Sequence, residues 1–152
     1  MKALLYPLLF SAFATTVVAD EFGLDKCIDV NGLNYCATPT VEQSIALGVK
    51  PDDKTTALGA DNARFTSNGA KAICKAAGRR VPTSDELLAL SEQNVRRLWW
   101  PTNSVYWSST PNDAGSSYLV VELSSPRVVK DGFNPFKPEK GNDSARYVSC
   151  VK

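Results

Sequence analysis

Cys27, Cys36, Cys74 and Cys150 are the residues whose chemistry is easiest to read in this chain. An even set of thiols in an exported protein oxidises to disulfides, and four cysteines allow three pairings. The sequence favours one of them. Asn31-Gly32 is a strong signal for a tight hairpin, because a type I′ turn needs positive φ at both central residues. With those two at the tip, Val30 faces Leu33, Asp29 faces Asn34, Ile28 faces Tyr35 and Cys27 faces Cys36, within the Cα separation that a disulfide requires. Cys74 and Cys150 then pair and close most of the domain into one loop. A zinc site is the rival use of these thiols, and it lacks both C-x-x-C spacing and any histidine.

The absence of histidine also removes Ser-His-Asp and Cys-His catalysis. No spacing suggests a Ser-Lys dyad or a pair of catalytic carboxylates, so no catalytic residue and no cofactor is assigned and the chain reads as a non-enzyme. Binding chemistry is better represented. Arg96-Arg97-Leu98-Trp99-Trp100-Pro101 combines arginine with tryptophan, the side chains most enriched among interface hot spots. Either tryptophan taken alone fits the core better than the surface, whereas the cluster as a whole leaves both outcomes open. Phe133 and Phe136 lie in a long loop rich in Pro, Gly and Lys. There they serve either as plugs that hold the loop down or as recognition groups. In Arg79-Arg80, one guanidinium is expected to meet a carboxylate and the other to be solvated.

The elements that carry these residues follow from capping and periodicity. The N-terminus has a basic tip at Lys2, an apolar run to Val18 and small residues before Asp20, which are the parts of a secretory signal cleaved after Ala19. A membrane anchor is the alternative; the apolar run is short for it, is broken by Pro7 and lacks a basic stop-transfer flank. Residues 20–152 then form one domain, with a hairpin over 27–36 and a core region over 60–152. The chain has 17 basic and 16 acidic residues, and loss of Lys2 brings them into balance. Neutrality gives no support for nucleic acid or anionic lipid as a partner, and the membrane enters only through the cleaved signal.

Residues 37–66 show little periodicity and read as long loops with one helical turn near Val41–Leu47. A helix over Ser67–Ala77 carries Cys74 and stops at Gly78. Thr83 and Glu86 have capping-box spacing, so a second helix runs over Ser84–Gln93 and buries Leu87, Leu88 and Leu90. Val105–Thr110, Tyr118–Ser124, Arg127–Asp131 and Arg146–Val151 read as short strands. In the second of these, Leu119, Val121 and Leu123 share one face while Tyr118, Val120 and Glu122 share the other. The class is α+β, with two helices on a short antiparallel sheet.

The phrases Gly78-Arg79-Arg80-Val81-Pro82-Thr83-Ser84-Asp85-Glu86-Leu87, Tyr106-Trp107-Ser108-Ser109-Thr110 and Tyr147-Val148-Ser149-Cys150-Val151 resemble the C-type-lectin-like domain at the tip of bacterial invasin and intimin adhesins. The resemblance spans roughly residues 60–152. It implies a disulfide-stapled C-type-lectin-like fold in which Trp107 packs where helices meet sheet. It further implies a protein partner, either on a host surface or in a bacterial secretion device, and a role in adhesion or modulation of a host interaction. The location it implies is secreted or cell surface, as a tip module without the barrel and spacers of full adhesins.

Two departures narrow the resemblance. The Glu-Pro-Asn loop and Trp-Asn-Asp strand that hold calcium in sugar-binding members are missing, and Asp113 and Glu122 are isolated carboxylates, so calcium-dependent sugar binding is not expected. The invasin branch binds integrin through exposed acidic residues, whereas the turn after Cys74 is basic here. A periplasmic inhibitor of an envelope enzyme and a calcium-independent lectin built on an exposed aromatic remain alternative readings.

Overall fold

Asn31 and Gly32 both take positive φ, 51° and 80°, and they turn the chain from β1 (Cys27–Val30) into β2 (Leu33–Cys36). The register is the expected one, with Cys27 opposite Cys36 and Val30 opposite Leu33. The computed structural model describes residues 24–129, apart from Ala114 and Ser116, and residues 144–152. The signal segment, Phe133 and Phe136 therefore lie outside the described residues.

Three helices follow, each started by a threonine whose hydroxyl accepts a backbone N–H of the first turn. Thr40 caps α1 (Val41–Ala46), Thr66 caps α2 (Ser67–Ala76) and Thr83 caps α3 (Ser84–Ser91). At α1 and α3 the box is reciprocal, with Gln43 and Glu86 reaching back to the cap N–H. Leu87 and Leu90 are fully buried, while Leu88 is only partly so.

Residues 37–66 depart from the loop reading. Besides α1 they hold a hairpin of β3 (Asp53–Ala57) and β4 (Ala60–Arg64). The hairpin is polar on much of its surface, so the alternation that marks a half-buried strand is missing from its sequence. Cross-strand side chains stabilise it instead. Lys54 meets Asp61 at 2.6 Å, Arg64 meets Asp53 at 3.0 Å, and the buried Asn62 amide donates to the Ala57 and Ala60 carbonyls beneath the turn.

The remaining strands are β5 (Tyr106–Pro111), β6 (Tyr118–Glu122), β7 (Arg127–Val129) and β8 (Cys150–Val151). They do not join one sheet. β1, β2 and β8 form one sheet in that order, β3 and β4 a second, and β5, β6 and β7 a third. The strand expected over Arg146–Val151 is interrupted, because this segment bonds to a different neighbour at almost every residue. Arg146 exchanges two backbone hydrogen bonds with Phe65, Tyr147 sits parallel to Tyr106, and Val151 exchanges two with Arg80.

The alternation expected along β6 is real, yet both of its faces are covered. Val121 belongs to a cluster with Leu87, Leu90, Trp100, Tyr106 and Tyr147, and Val120 to one with Phe65, Ile73, Trp107 and Val148. Trp107 packs between α2 and the sheet as expected, and its Nε1 donates to the Phe65 carbonyl at 2.8 Å. Arg80 forms a two-pronged pair with Glu86 at 2.9 and 3.0 Å. The other arginine corrects the expectation of a solvated side chain. Arg79 is half-buried and donates to the Asn34 carbonyl at 2.9 Å, tying the end of α2 to the N-terminal hairpin.

Candidate functional site: an arginine–tryptophan turn

After α3 the chain makes a 3-10 turn over Val95–Leu98, entered through Asn94 at φ 51° and left through Trp99 at φ 62°. The two left-handed residues reverse the chain sharply, and the reversal decides which side chains go in. Val95 and Trp100 are buried at the two ends of the turn, whereas Arg96, Arg97, Leu98 and Trp99 between them are exposed. The tryptophan pair thus divides. Trp100 has no exposed surface and its ring lies 6.4 Å from that of Tyr106, whereas Trp99 is 64% exposed.

Holding a bulky residue in the left-handed region costs roughly 1–2 kcal/mol, and such strain gathers at functional sites. The turn is fixed from both sides. Trp100 N–H donates to the Val95 carbonyl at 3.3 Å, and Tyr106 Oη donates to the Pro101 carbonyl at 2.6 Å. Burial pushes the Tyr106 phenol well above its ordinary range, with the nearby Tyr147 adding to the effect, so it stays a neutral donor.

The electrostatics of the turn are one-sided. Neither Arg96 nor Arg97 has a carboxylate partner among the described residues. Lys26 brings a third cation, its Nζ donating to the Trp99 carbonyl at 3.4 Å. Glu122, by contrast, is engaged by Arg127 at 2.6 Å. The surface is therefore a rigid, cationic loop tip with one large indole and Leu98 beside it. It has the chemistry of an interface anchor: apolar area on a pre-ordered frame, with unpaired guanidinium donors around it.

The structure brings Arg96, Arg97 and Trp99 to one exposed turn and sends Trp100 to the core. It adds Lys26, which no local pattern could have placed there, since it lies 73 residues away in sequence. The cysteines form Cys27–Cys36 and Cys74–Cys150, as the hairpin register requires. Among the described residues no group of acidic, histidine or cysteine side chains could hold a metal ion, and no helix is long and apolar enough to cross a membrane.

The comparisons with known proteins agree with this architecture. A search of curated proteins returned no match. Among solved structures, the Yersinia pseudotuberculosis adhesin InvE superposes with a TM-score of 0.64 at 17% sequence identity, over 85% of this chain and 34% of the adhesin's. The chain thus spans about a third of the adhesin it resembles, and at that identity the likeness speaks for the α+β, C-type-lectin-like fold alone. The family model of the InvE adhesion domain matches residues 26–151, which takes in both disulfides and the arginine–tryptophan turn. On that match the chain belongs to the InvE adhesion-domain family, a family of invasin-type binding domains rather than enzymes.

Proposed function

We propose that this domain attaches a bacterium to a protein on the host surface, with the Arg96–Trp99 turn as the contact and Trp99 as its anchor. An adhesion domain acts at the bacterial cell surface, and the open question is which face it uses and on what. The observation that carries the choice of face is the 64% exposure of Trp99 on a strained, pre-ordered turn. Large exposed apolar side chains are few among the described residues, and here two of them, Leu98 and Trp99, are adjacent and ringed by cations. A partner offering an acidic, partly apolar pocket complements this surface.

Export fits the same reading. Residues 1–19 would direct the chain out of the cytoplasm with cleavage after Ala19, leaving 20–152 as the working domain, and the two disulfides support passage through an oxidising compartment.

The test compares the purified chain with Trp99→Ala and with Arg96→Glu/Arg97→Glu for binding to cultured host cells. Each variant should lose at least tenfold in apparent affinity while its circular dichroism and melting temperature stay close to the parent's. Full binding by Trp99→Ala would remove this turn as the contact.

A further inference from the structure

Strands β1, β2 and β8 set three cysteines in one row. Cys27 stands opposite Cys36, and on its other side Cys36 stands opposite Cys150. Directly opposed residues point to the same face of a sheet, so the three side chains share a face. Their neighbours show which one. Tyr35 and Val151 enter the core that holds Trp100, while Cys150 enters the core that holds Cys74 of α2. Four sulfurs are thus gathered on one face, joined as Cys27–Cys36 and Cys74–Cys150.

The register allows a third bond between Cys36 and Cys150. Asn34 and Lys152 exchange both backbone hydrogen bonds, at 2.8 and 3.1 Å. Two residues along the ladder, Cys36 and Cys150 form a pair of the same kind, for which the Cα separation is about 5.5 Å. A disulfide commonly spans that distance. Access to the four sulfurs is unequal. Cys36, Cys74 and Cys150 have no exposed surface, whereas Cys27 is half-buried between the exposed Lys26 and the edge of the sheet. Its sulfur lies 3.6 Å from the carbonyl of exposed Asp25. A thiol arriving from solvent meets Cys27 first.

We propose that Cys27 is a site of S-thiolation by a small external thiol, with Cys36 relaying the exchange to the Cys74–Cys150 bond. The external thiolate attacks Cys27 Sγ, forms a mixed disulfide there and expels Cys36 as a thiolate. Cys36 then attacks Cys150 Sγ, forms Cys36–Cys150 and expels Cys74, which takes up the proton that the external thiol lost. Two disulfides and one thiol give two disulfides and one thiol, so no further oxidant or reductant is needed. A thiolate held opposite its target has a high effective concentration, which favours the second step. That step also protects the adduct. A mixed disulfide beside a free Cys36 would be attacked and reversed, and the relay takes that thiol away. The exchange is independent of which face of the domain meets a host.

The oxidised chain is incubated at about pH 8 with reduced glutathione, quenched in acid and alkylated in denaturant. Cleavage before Asp29 separates Cys27 from Cys36 for mass spectrometry. The expected products are glutathione on Cys27, a Cys36–Cys150 bond and alkylated Cys74. Glutathione on Cys27 with alkylated Cys36, opening of Cys74–Cys150 ahead of the hairpin bond, or no adduct would each overturn the proposal. Two single variants isolate the relay without added thiol. Cys27→Ser should form Cys36–Cys150 at least tenfold more than Cys36→Ser forms Cys27–Cys150, because β2 lies between β1 and β8. Retention of Cys74–Cys150 alone in Cys27→Ser would remove the relay. Equal re-pairing in both variants would mean unselective exchange and would remove it as well.

Discussion

Adjacent tryptophans with opposite fates show how much one backbone angle decides. Trp99 sits at φ 62° and points to solvent, while Trp100 follows it into the core beside Tyr106. The two should respond to substitution in opposite ways. Trp100→Ala empties a fully buried site and should cost about 3–5 kcal/mol. Trp99→Gly removes a strained side chain from the left-handed region, where glycine is at ease, and should raise stability by up to about 1 kcal/mol. Urea unfolding of both variants measures this directly. Destabilisation by Trp99→Gly would mean that the indole supports the turn rather than being displayed by it.

At the scale of elements, the caps were the most legible feature and the polar hairpin the least. Thr83 and Glu86 announce α3 because a capping box is a local bargain between residues three apart, visible without any tertiary context. The Cys27–Cys36 pairing could be read for the same reason, since Asn31-Gly32 fixes the register by itself. β3 and β4 escaped because Lys54–Asp61 and Arg64–Asp53 hold them, and charge pairs across strands leave no hydrophobic period in the sequence. The candidate site was half legible. The Arg-Trp composition marked the turn, but which tryptophan is displayed depends on the left-handed residues at Asn94 and Trp99, neither of them a glycine that would flag the conformation.

The α3 cap also carries a pH dependence. Burial pushes the Glu86 carboxyl up, but Arg80 and the Thr83 N–H and hydroxyl outweigh it and hold the pKa below the ordinary glutamate value. A carboxyl depressed in the folded state contributes stability that is full above its unfolded pKa and is lost as pH falls through the folded one. Acidification below about pH 4.3 should therefore destabilise the parent. Asp61, held low by its bonds to Lys54 and Thr56, acts with the same sign, so the informative quantity is the difference between variants. Glu86→Gln keeps the capping geometry without the charge. It should lose less than about 1 kcal/mol near neutrality, given the exposed position of Arg80, and should show a shallower decline in acid. Thr83→Ala should lose about 1 kcal/mol by removing the hydroxyl acceptor. Parallel acid profiles for the parent and Glu86→Gln would place the sensitivity elsewhere.

For the whole molecule, the C-terminal segment does what no sheet does. Its backbone bonds reach Phe65, Val105, Trp107, Arg80 and Asn34, and its side chains enter both cores, Tyr147 and Val151 on one side of the β5–β6 pair and Val148 and Cys150 on the other. The Cys74–Cys150 bond locks this segment to α2 across 76 residues, whereas Cys27–Cys36 spans only a hairpin that its own turn already favours. Loop entropy then makes the two bonds unequal. Cys74→Ser/Cys150→Ser should lose about 4–5 kcal/mol and Cys27→Ser/Cys36→Ser about 2–3 kcal/mol. Double variants are the fair comparison, because Cys36 stands directly opposite Cys150 and a lone thiol there would attack the neighbouring bridge. Since a domain of this size is held by only about 5–15 kcal/mol, the long bond is the one whose loss should separate the two cores and release the frame behind the Arg96–Trp99 turn. Urea midpoints for the two double variants, read together with host-cell binding, test this. Equal losses would show that packing of Tyr147, Val148 and Val151 holds the segment without the covalent tie.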